Sequence, residues 1–175
     1  MTLRTLFLLR HAKSSWDDPA LADFDRSLAP RGRKAAPMMG AEMATRQWLP
    51  DTVLVSPAAR TRQTWALVAP HLRGAPEAAY PESLYMGGPE IVLEVVGAAP
   101  DTAKALLVIG HNPGLEEFAG MLAGEASEPK AVARMRAKFP TAGLARFEFD
   151  GAWRDLSRGA ARLTDFLRPK DVSSS

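Results

Sequence analysis

Three short apolar segments of the sequence each lead into an arginine or a histidine. They are Leu6–Leu9 before Arg10 and His11, Thr52–Ser56 before Arg60, and Ala105–Gly110 before His111. Apolar runs of this length that stop at a polar residue are typical of strands buried in a parallel sheet. Ligands of open α/β sheets bind beyond the carboxyl ends of such strands. We therefore expect two arginines and two histidines to share one pocket, which suits a phosphoryl group.

These residue types fit phosphoryl binding and transfer. The planar guanidinium of arginine is permanently charged and can hold two phosphate oxygens, so Arg10 and Arg60 are candidate clamps. A neutral histidine in the right tautomer can accept a phosphoryl group as a nucleophile. Neighbouring arginines depress its pKa and favour that neutral form. The N–H groups of a helix opening after Asn112 would add a third anion-binding feature. A surface role for each arginine, taken alone, is the alternative.

The pattern of the chain predicts an α/β fold with three layers, α/β/α, around a mostly parallel central sheet. Residues 14–30 are expected to be a loop. Helices are expected to begin near Pro30, with Pro37 as a kink or as the true start, near Pro57 or Arg60, at Pro89, and at Pro113 with Asn112 as an N-cap. The alternating segment Leu144–Phe149 predicts a half-buried strand, and Leu163–Leu167 a final antiparallel one. We expect one domain over residues 1–168 and a flexible tail over 169–175.

Composition excludes several classes of protein. The 175 residues carry a formal net charge of only +2 and no cysteine. Nucleic-acid binding, disulfides and thiolate metal sites are therefore not expected. The first apolar run is interrupted at Arg10, and no run reaches the length of a membrane span. A zinc site is the rival use of the histidines, but there is no HExxH motif. We expect a cytoplasmic protein without a metal or other cofactor and without a membrane partner.

Three motifs together resemble the signatures of the histidine phosphatase superfamily, also called the phosphoglycerate mutase-like family. They are Arg10-His11-Ala12, Ser56-Pro57-Ala58-Ala59-Arg60 with Thr64, and Gly110-His111-Asn112-Pro113-Gly114. The segments from Arg10 to Ser14, 28–32 and 60–64 are similar to the small SixA-type phosphohistidine phosphatases. The resemblance covers residues 3 to about 168 and implies a phosphoglycerate mutase-like fold.

The resemblance also implies a role for each matching residue. His11 would be the nucleophile that becomes phosphorylated, and Arg10, Arg60 and His111 would form the phosphate pocket. The family usually supplies a general acid from the segment that matches residues 81–85, so Glu82 is the candidate, with a plain surface carboxylate as the alternative.

The substrate-binding candidates lie beside the two histidines. They are Lys13, Ser14 and Asn112, with a solvated loop as the alternative for the first two. The superfamily's usual Arg-His-Gly is Arg-His-Ala in this sequence, so Ala12 leaves less room next to His11.

The expected function is a metal-independent phosphatase that works through a phosphohistidine intermediate. Its substrate would be phosphohistidine in a protein, or alternatively a small phosphate ester. A phosphoglycerate mutase is the enzymatic rival and would need further basic residues for a bisphosphate. A non-catalytic phosphate-binding module is disfavoured because His11 and both arginines are present. Lys130, Arg134 and Lys138 could form a basic stripe that meets an acidic partner, or a solvated helix face.

Overall fold

A six-stranded sheet lies between two layers of helices in the computed structural model, which describes residues 2–172. The strands are β1 (Leu3–Arg10), β2 (Thr52–Val55), β3 (Ala78–Ala79), β4 (Ala105–Gly110), β5 (Leu144–Asp150) and β6 (Arg162–Leu167). The α-helices are α1 (Pro30–Thr45), α2 (Ala59–Val68), α3 (Pro89–Gly97), α4 (Gly114–Leu122) and α5 (Pro129–Ala137). Short 3-10 helices at Asp23–Asp25 and Glu82–Leu84 lie in the connections.

The strand order is β3-β2-β4-β1-β5-β6. The first four of these strands are parallel, β5 pairs antiparallel with β1, and β6 pairs antiparallel with β5. The predicted three-layer fold with a mostly parallel sheet is thus confirmed. The chain leaves β1, forms β2 and β3, and returns to place β4 between β2 and β1. The carboxyl ends of β1 and β4 are therefore adjacent, with Arg10 opposite Gly110 in the register.

The sheet separates two cores. Leu6 and Leu8 of β1 pack on the side that also buries residues of α3, α4 and α5. Phe7 and Leu9 face the other side, with residues of α1 and α2. Successive side chains of a strand point to opposite faces, so a strand covered on both sides is apolar at every position. This is why β1 and β4 are continuous apolar runs in the sequence.

Two helix predictions change in detail. Helix α1 begins at Pro30 and continues through Pro37, so Pro37 does not mark its start. Helix α4 begins at Gly114, and its N-cap is Pro113 rather than Asn112. The side-chain oxygen of Asn112 instead accepts a hydrogen bond from the N–H of Glu116, at 3.2 Å.

The prediction of a flexible tail is wrong over residues 169–172. Pro169–Asp171 form a 3-10 helix, and the Asp171 carboxylate accepts hydrogen bonds from both the backbone N–H and the guanidinium of Arg168. Val172 is buried against the core on the α1 side of the sheet. A capping carboxylate and one apolar anchor therefore fix this segment. Residues 173–175 lie outside the described residues.

The first turn of α1 packs directly on the chain that follows β1. The N–H of Ala29 donates to the carbonyl of Lys13 at 2.9 Å. A Cβ added at Gly32 would lie 2.2 Å from that same carbonyl oxygen. Only glycine permits this approach without a backbone shift, so Gly32 fixes the position of the loop after Arg10 and His11.

We expect Gly32→Ala to lower the free energy of unfolding by about 1–3 kcal/mol, because the backbone on both sides must move. The matched control is Gly120→Ala inside α4, where an added Cβ has no neighbour within 4 Å. That change should raise the free energy of unfolding by about 0.5–1 kcal/mol through helix propensity. Urea unfolding measures both. Equal effects of the two substitutions would contradict the packing assigned to Gly32.

Candidate active site

The structure brings the two predicted histidines together beyond the carboxyl ends of β1 and β4. The ring centroids of His11 and His111 lie 5.3 Å apart. Both rings line a cleft of about 250 Å³, together with Arg10 and Arg60. Two imidazoles and two guanidiniums from three separate strand ends thus face one small space, as the sequence pattern predicts.

His11 has a defined tautomer. Its Nδ1 lies 2.8 Å from the carbonyl oxygen of Ala12, which can only accept, so the proton is on Nδ1. The Nε2 atom is then the one with a free lone pair. The ring is buried, and this burial, with the neighbouring His111, Arg60 and Arg10, lowers its pKa to about 3. His11 is therefore a neutral imidazole at physiological pH.

His111 is held by the end of the neighbouring strand. Its Nε2 lies 2.7 Å from the Oγ of Ser56, a fully buried residue that directly follows β2. Burial and the adjacent Arg60 lower the pKa of His111 to about 4, so this ring is also neutral near pH 7. The sequence analysis includes Ser56 only as part of a motif and assigns it no role. Its position directly after a buried strand, like those of the two histidines, is the feature that could have indicated one.

Each arginine is positioned by a distant part of the chain. One N–H of Arg10 donates to the carbonyl oxygen of Phe139 at 3.1 Å, and the amide of Asn112 donates to the same oxygen at 2.9 Å. Arg60, in the first turn of α2, donates to the carbonyl and to the carboxylate of Asp23 at 2.8 and 3.1 Å. The two clamps are thus preorganised before any ligand binds.

Asp23 is the site residue that sequence reasoning missed. Its carboxylate accepts hydrogen bonds from Arg60, from Arg26 and from the hydroxyl of Tyr85, the last at 2.6 Å. The Tyr85 hydroxyl and the two arginines hold the pKa of Asp23 well below its usual range. Asp23 is therefore ionised at neutral pH and cannot donate a proton there. No local pattern marks it, because its partners lie on other segments.

Two hydroxyl groups tie the site together. The N–H of Ala12 donates to the Thr64 hydroxyl at 3.0 Å, and that hydroxyl donates to the carbonyl of Arg60 at 2.7 Å. Helix α2 and the chain after β1 are thus joined beside the nucleophile candidate. Ser14 is buried and accepts a hydrogen bond from Arg26, so the alternative of a solvated loop does not apply to it.

The remaining sequence candidates have different outcomes. Lys13 is exposed and lines the cleft, as does Asn112. Glu82 is exposed, does not line the cleft, and makes no side-chain hydrogen bond or ion pair within residues 2–172. It lies in a 3-10 helix that directs Tyr85 toward the site instead, with the Tyr85 ring 5.7 Å from that of His111. Glu82 therefore lies outside the lining of the cleft, and its role as general acid stays a prediction.

Two N–H groups at the start of α4, a segment predicted to bind an anion, are already hydrogen-bonded within the chain. The N–H of Leu115 donates to the carbonyl of His111 at 2.8 Å, and the N–H of Glu116 is taken by Asn112. Glu116 and Glu117 add negative charge to this first turn. Because these N–H groups already have acceptors within the chain, they are not available to a phosphate.

Comparisons with known proteins agree with this geometry. Residues 6–80 match the model of the histidine phosphatase superfamily (branch 1). An uncharacterized protein of Mycobacterium tuberculosis strain H37Rv is 39% identical over 163 residues, which cover 93% of this chain and all of that protein.

Solved structures extend the match over nearly the whole chain. The SixA protein of Nakamurella multipartitia is 32% identical, with a TM-score of 0.84 over 97% of this chain and 98% of that one. SixA of Agrobacterium tumefaciens is also 32% identical, with a TM-score of 0.81 over 95% and 98%. A third SixA, solved with tungstate, is 22% identical over 95% and 98% and shares the fold, with a TM-score of 0.77.

The fold and the paired histidines define a phosphatase of the phosphoglycerate mutase-like type. The chain belongs to the histidine phosphatase superfamily, in its SixA-type branch.

The depressed pKa values give a test of the site in the free protein. We expect the imidazole nitrogens of His11 and His111 to stay neutral from pH 8 down to pH 5, since their pKa values are about 3 and 4. Nitrogen-detected NMR of the rings, assigned with His11→Ala and His111→Ala, measures this. Titration of either ring near pH 6.5 in the free protein would contradict the burial described above.

The same shifts predict how stability depends on pH. The unfolded chain takes up protons on these histidines below about pH 6.5, whereas the folded chain does not until about pH 4 to 3. Their contribution to stability is therefore complete above pH 6.5 and is lost as the pH falls toward 4.

Proposed function

We propose that the protein hydrolyses phosphohistidine in proteins through a phosphohistidine intermediate on His11. The lone pair of Nε2 attacks phosphorus, the bond from phosphorus to the leaving nitrogen breaks, and its electrons stay on that nitrogen. Water then attacks the phosphoryl group on His11, loses a proton to solvent, and releases phosphate with the imidazole restored. The observation that carries the proposal is the buried, neutral His11 with Nδ1 held by Ala12 and Nε2 free.

The positive charge around His11 stabilises the phosphoryl group during its transfer. Arg10 and Arg60 are fixed in place, and preorganised cations stabilise the charge spread over the equatorial oxygens. The Nε of Arg10 and the Nδ1 of His111 are buried and have no hydrogen-bond partner within residues 2–172. An oxyanion in the cleft would supply an acceptor for the Nε–H of Arg10, which otherwise carries a desolvation cost.

The protonation state of the groups in the cleft affects which substrates the site can accept. Asp23 is the one carboxylate among the described residues that line it, and it is ionised. Both histidines are neutral in the free protein, so no protonated acid among residues 2–172 lines the cleft to protonate a departing alkoxide. A phosphorylated imidazole needs none, because solvent protonates its second ring nitrogen near neutral pH and it then departs as neutral imidazole. The site therefore favours phosphohistidine over alkyl phosphate esters. The tungstate-bound SixA is itself named a protein histidine phosphatase.

The reaction as proposed needs no metal. Within residues 2–172, His11 and His111 are not joined by a third histidine, cysteine or carboxylate in an arrangement that could hold an ion. The arginines supply the positive charge that a metal would otherwise provide. A small phosphate ester with a good leaving group is the second candidate substrate, favoured by the same lack of an acid.

We expect the purified protein to hydrolyse phosphoimidazole in the presence of EDTA, and His11→Ala to lower kcat/KM by roughly ten-thousandfold. The matched control is His71→Ala, an exposed histidine away from the cleft, which should keep wild-type activity. Brief reaction and alkaline quenching should trap an acid-labile phosphoryl group on His11 in the wild type. Activity that requires added zinc, or that survives loss of His11, would refute the mechanism.

The leaving group offers a separate test. Across aryl phosphates, kcat/KM should fall steeply as the pKa of the phenol rises, because no residue donates the proton. For each aryl phosphate, the kcat/KM of Glu82→Gln should stay within about twofold of the wild-type value, since Glu82 lies outside the cleft. A shallow dependence in the wild type that becomes steep in Glu82→Gln would restore Glu82 as the general acid.

Localisation and nucleic-acid binding stay predictions from the sequence. Within residues 2–172, no helix combines the length and apolar character needed to cross a membrane.

A further inference from the structure

A second and larger concavity adjoins the catalytic cleft. It measures about 600 Å³ and shares Arg10, Lys13 and Thr141 with the cleft. Within residues 2–172, six cationic side chains and no carboxylate line it. We call it the basic groove, and its cations are Arg10, Lys13, Arg31, Lys138, Arg168 and Lys170. The mechanism uses only Arg10 of these six.

Four of these cations are available to a ligand. Lys13, Arg31, Lys138 and Lys170 are exposed and form no ion pair within the described part of the chain. Arg168, by contrast, is neutralised by Asp171. Helix α1 begins at the groove with no carboxylate in its first turn, which adds to the positive potential. A concave surface with one sign of charge attracts and concentrates anions of the opposite sign.

The groove is assembled from four segments that are far apart in sequence. They are the chain after β1, the start of α1, residues 138–141 after α5, and the 3-10 helix at Pro169–Asp171. Of the stripe considered in the sequence, only Lys138 lines the groove; Arg134 donates to the carbonyl of Phe166 instead. The groove is thus a product of tertiary structure and not a charged helix face.

Exposed aromatic side chains also lie at the cleft. Trp16, which lines it, is 72% exposed, and Phe24 is 38% exposed. Phe24 packs edge-on against Tyr85 at 5.0 Å, and Tyr85 packs against His111, so Phe24 lies close to the paired histidines. Exposed aromatic side chains beside a charged surface are characteristic of protein interfaces rather than of small-molecule pockets.

We propose that the basic groove binds an acidic segment of the phosphorylated protein substrate, next to the phosphohistidine that enters the cleft. The proposal rests on the proposed function, because the groove continues directly from the site of phosphoryl transfer. Carboxylates of the partner would pair with Lys138, Lys170 and Arg31, which are exposed and line the groove. Such contacts increase the association rate and decide which phosphoproteins are accepted.

The test compares two phosphohistidine peptides of equal length, one flanked by glutamates and aspartates and one by glutamines and asparagines. At low salt, wild-type kcat/KM should favour the acidic peptide by about tenfold or more, and the preference should shrink as salt is added. Lys138→Glu/Lys170→Glu should abolish the preference or invert it. The matched control is Lys104→Glu/Arg158→Glu, which makes the same change in net charge and should keep the preference. Both residues are exposed and precede the amino ends of β4 and β6, whereas the groove lies beyond the carboxyl ends of β1 and β6.

Phosphoimidazole separates the two hypotheses. If neither it nor the peptides are hydrolysed, the proposed function fails. If phosphoimidazole is hydrolysed and the acidic peptide has no advantage, or if the control variant loses the preference equally, the groove proposal fails and the phosphatase stands. The groove proposal would also fail if the protein hydrolysed adenosine triphosphate faster than it hydrolysed the acidic phosphohistidine peptide, since the groove would then bind a small polyanion.

Discussion

The parallel pairing of β1 with β4 is the constraint on which the site depends. It sets Arg10 opposite Gly110, so the residues that follow, His11 and His111, leave the sheet at the same level and on neighbouring strands. Neither histidine has a local reason to lie near the other, as a hundred residues separate them. The apolar faces of both strands fix the register, because a shift by one residue would exchange the two cores.

Desolvation then determines the chemistry of the paired rings. Partial or full burial beside two guanidiniums lowers the pKa of each imidazole, so each ring is neutral near pH 7. The hydrogen bond from His11 to Ala12 selects the tautomer, and Ser56 orients His111. Burial, repulsion and two hydrogen bonds thus prepare a nucleophile without a general base next to it.

The sequence predicted the strands, the helices and the meeting of the four cationic and imidazole residues because these features have local signals. In the sequence, a buried strand is recognised as a continuous apolar run, and an amphipathic helix by apolar residues that recur every three or four positions. The end of each buried strand is marked by the polar residue that follows it. Asp23 could not be found this way, since it matters only through Arg60 and Tyr85, which lie on other segments. Glu82 was selected by resemblance in a segment whose Tyr85, rather than its carboxylate, contacts the site through Asp23 and His111. Residues 169–172 were assigned to a tail because a 3-10 helix fixed by one carboxylate has no periodicity.

The contact between Asp23 and Arg60 has a consequence for the end of each catalytic cycle. Because the guanidinium of Arg60 already donates hydrogen bonds to Asp23, it attracts a free phosphate ion less strongly than an arginine without an ion pair would. When the product departs, the emptied pocket keeps a counter-ion of its own instead of exposing a bare cation. Inorganic phosphate should accordingly be a weak product inhibitor, and its dissociation should not limit turnover.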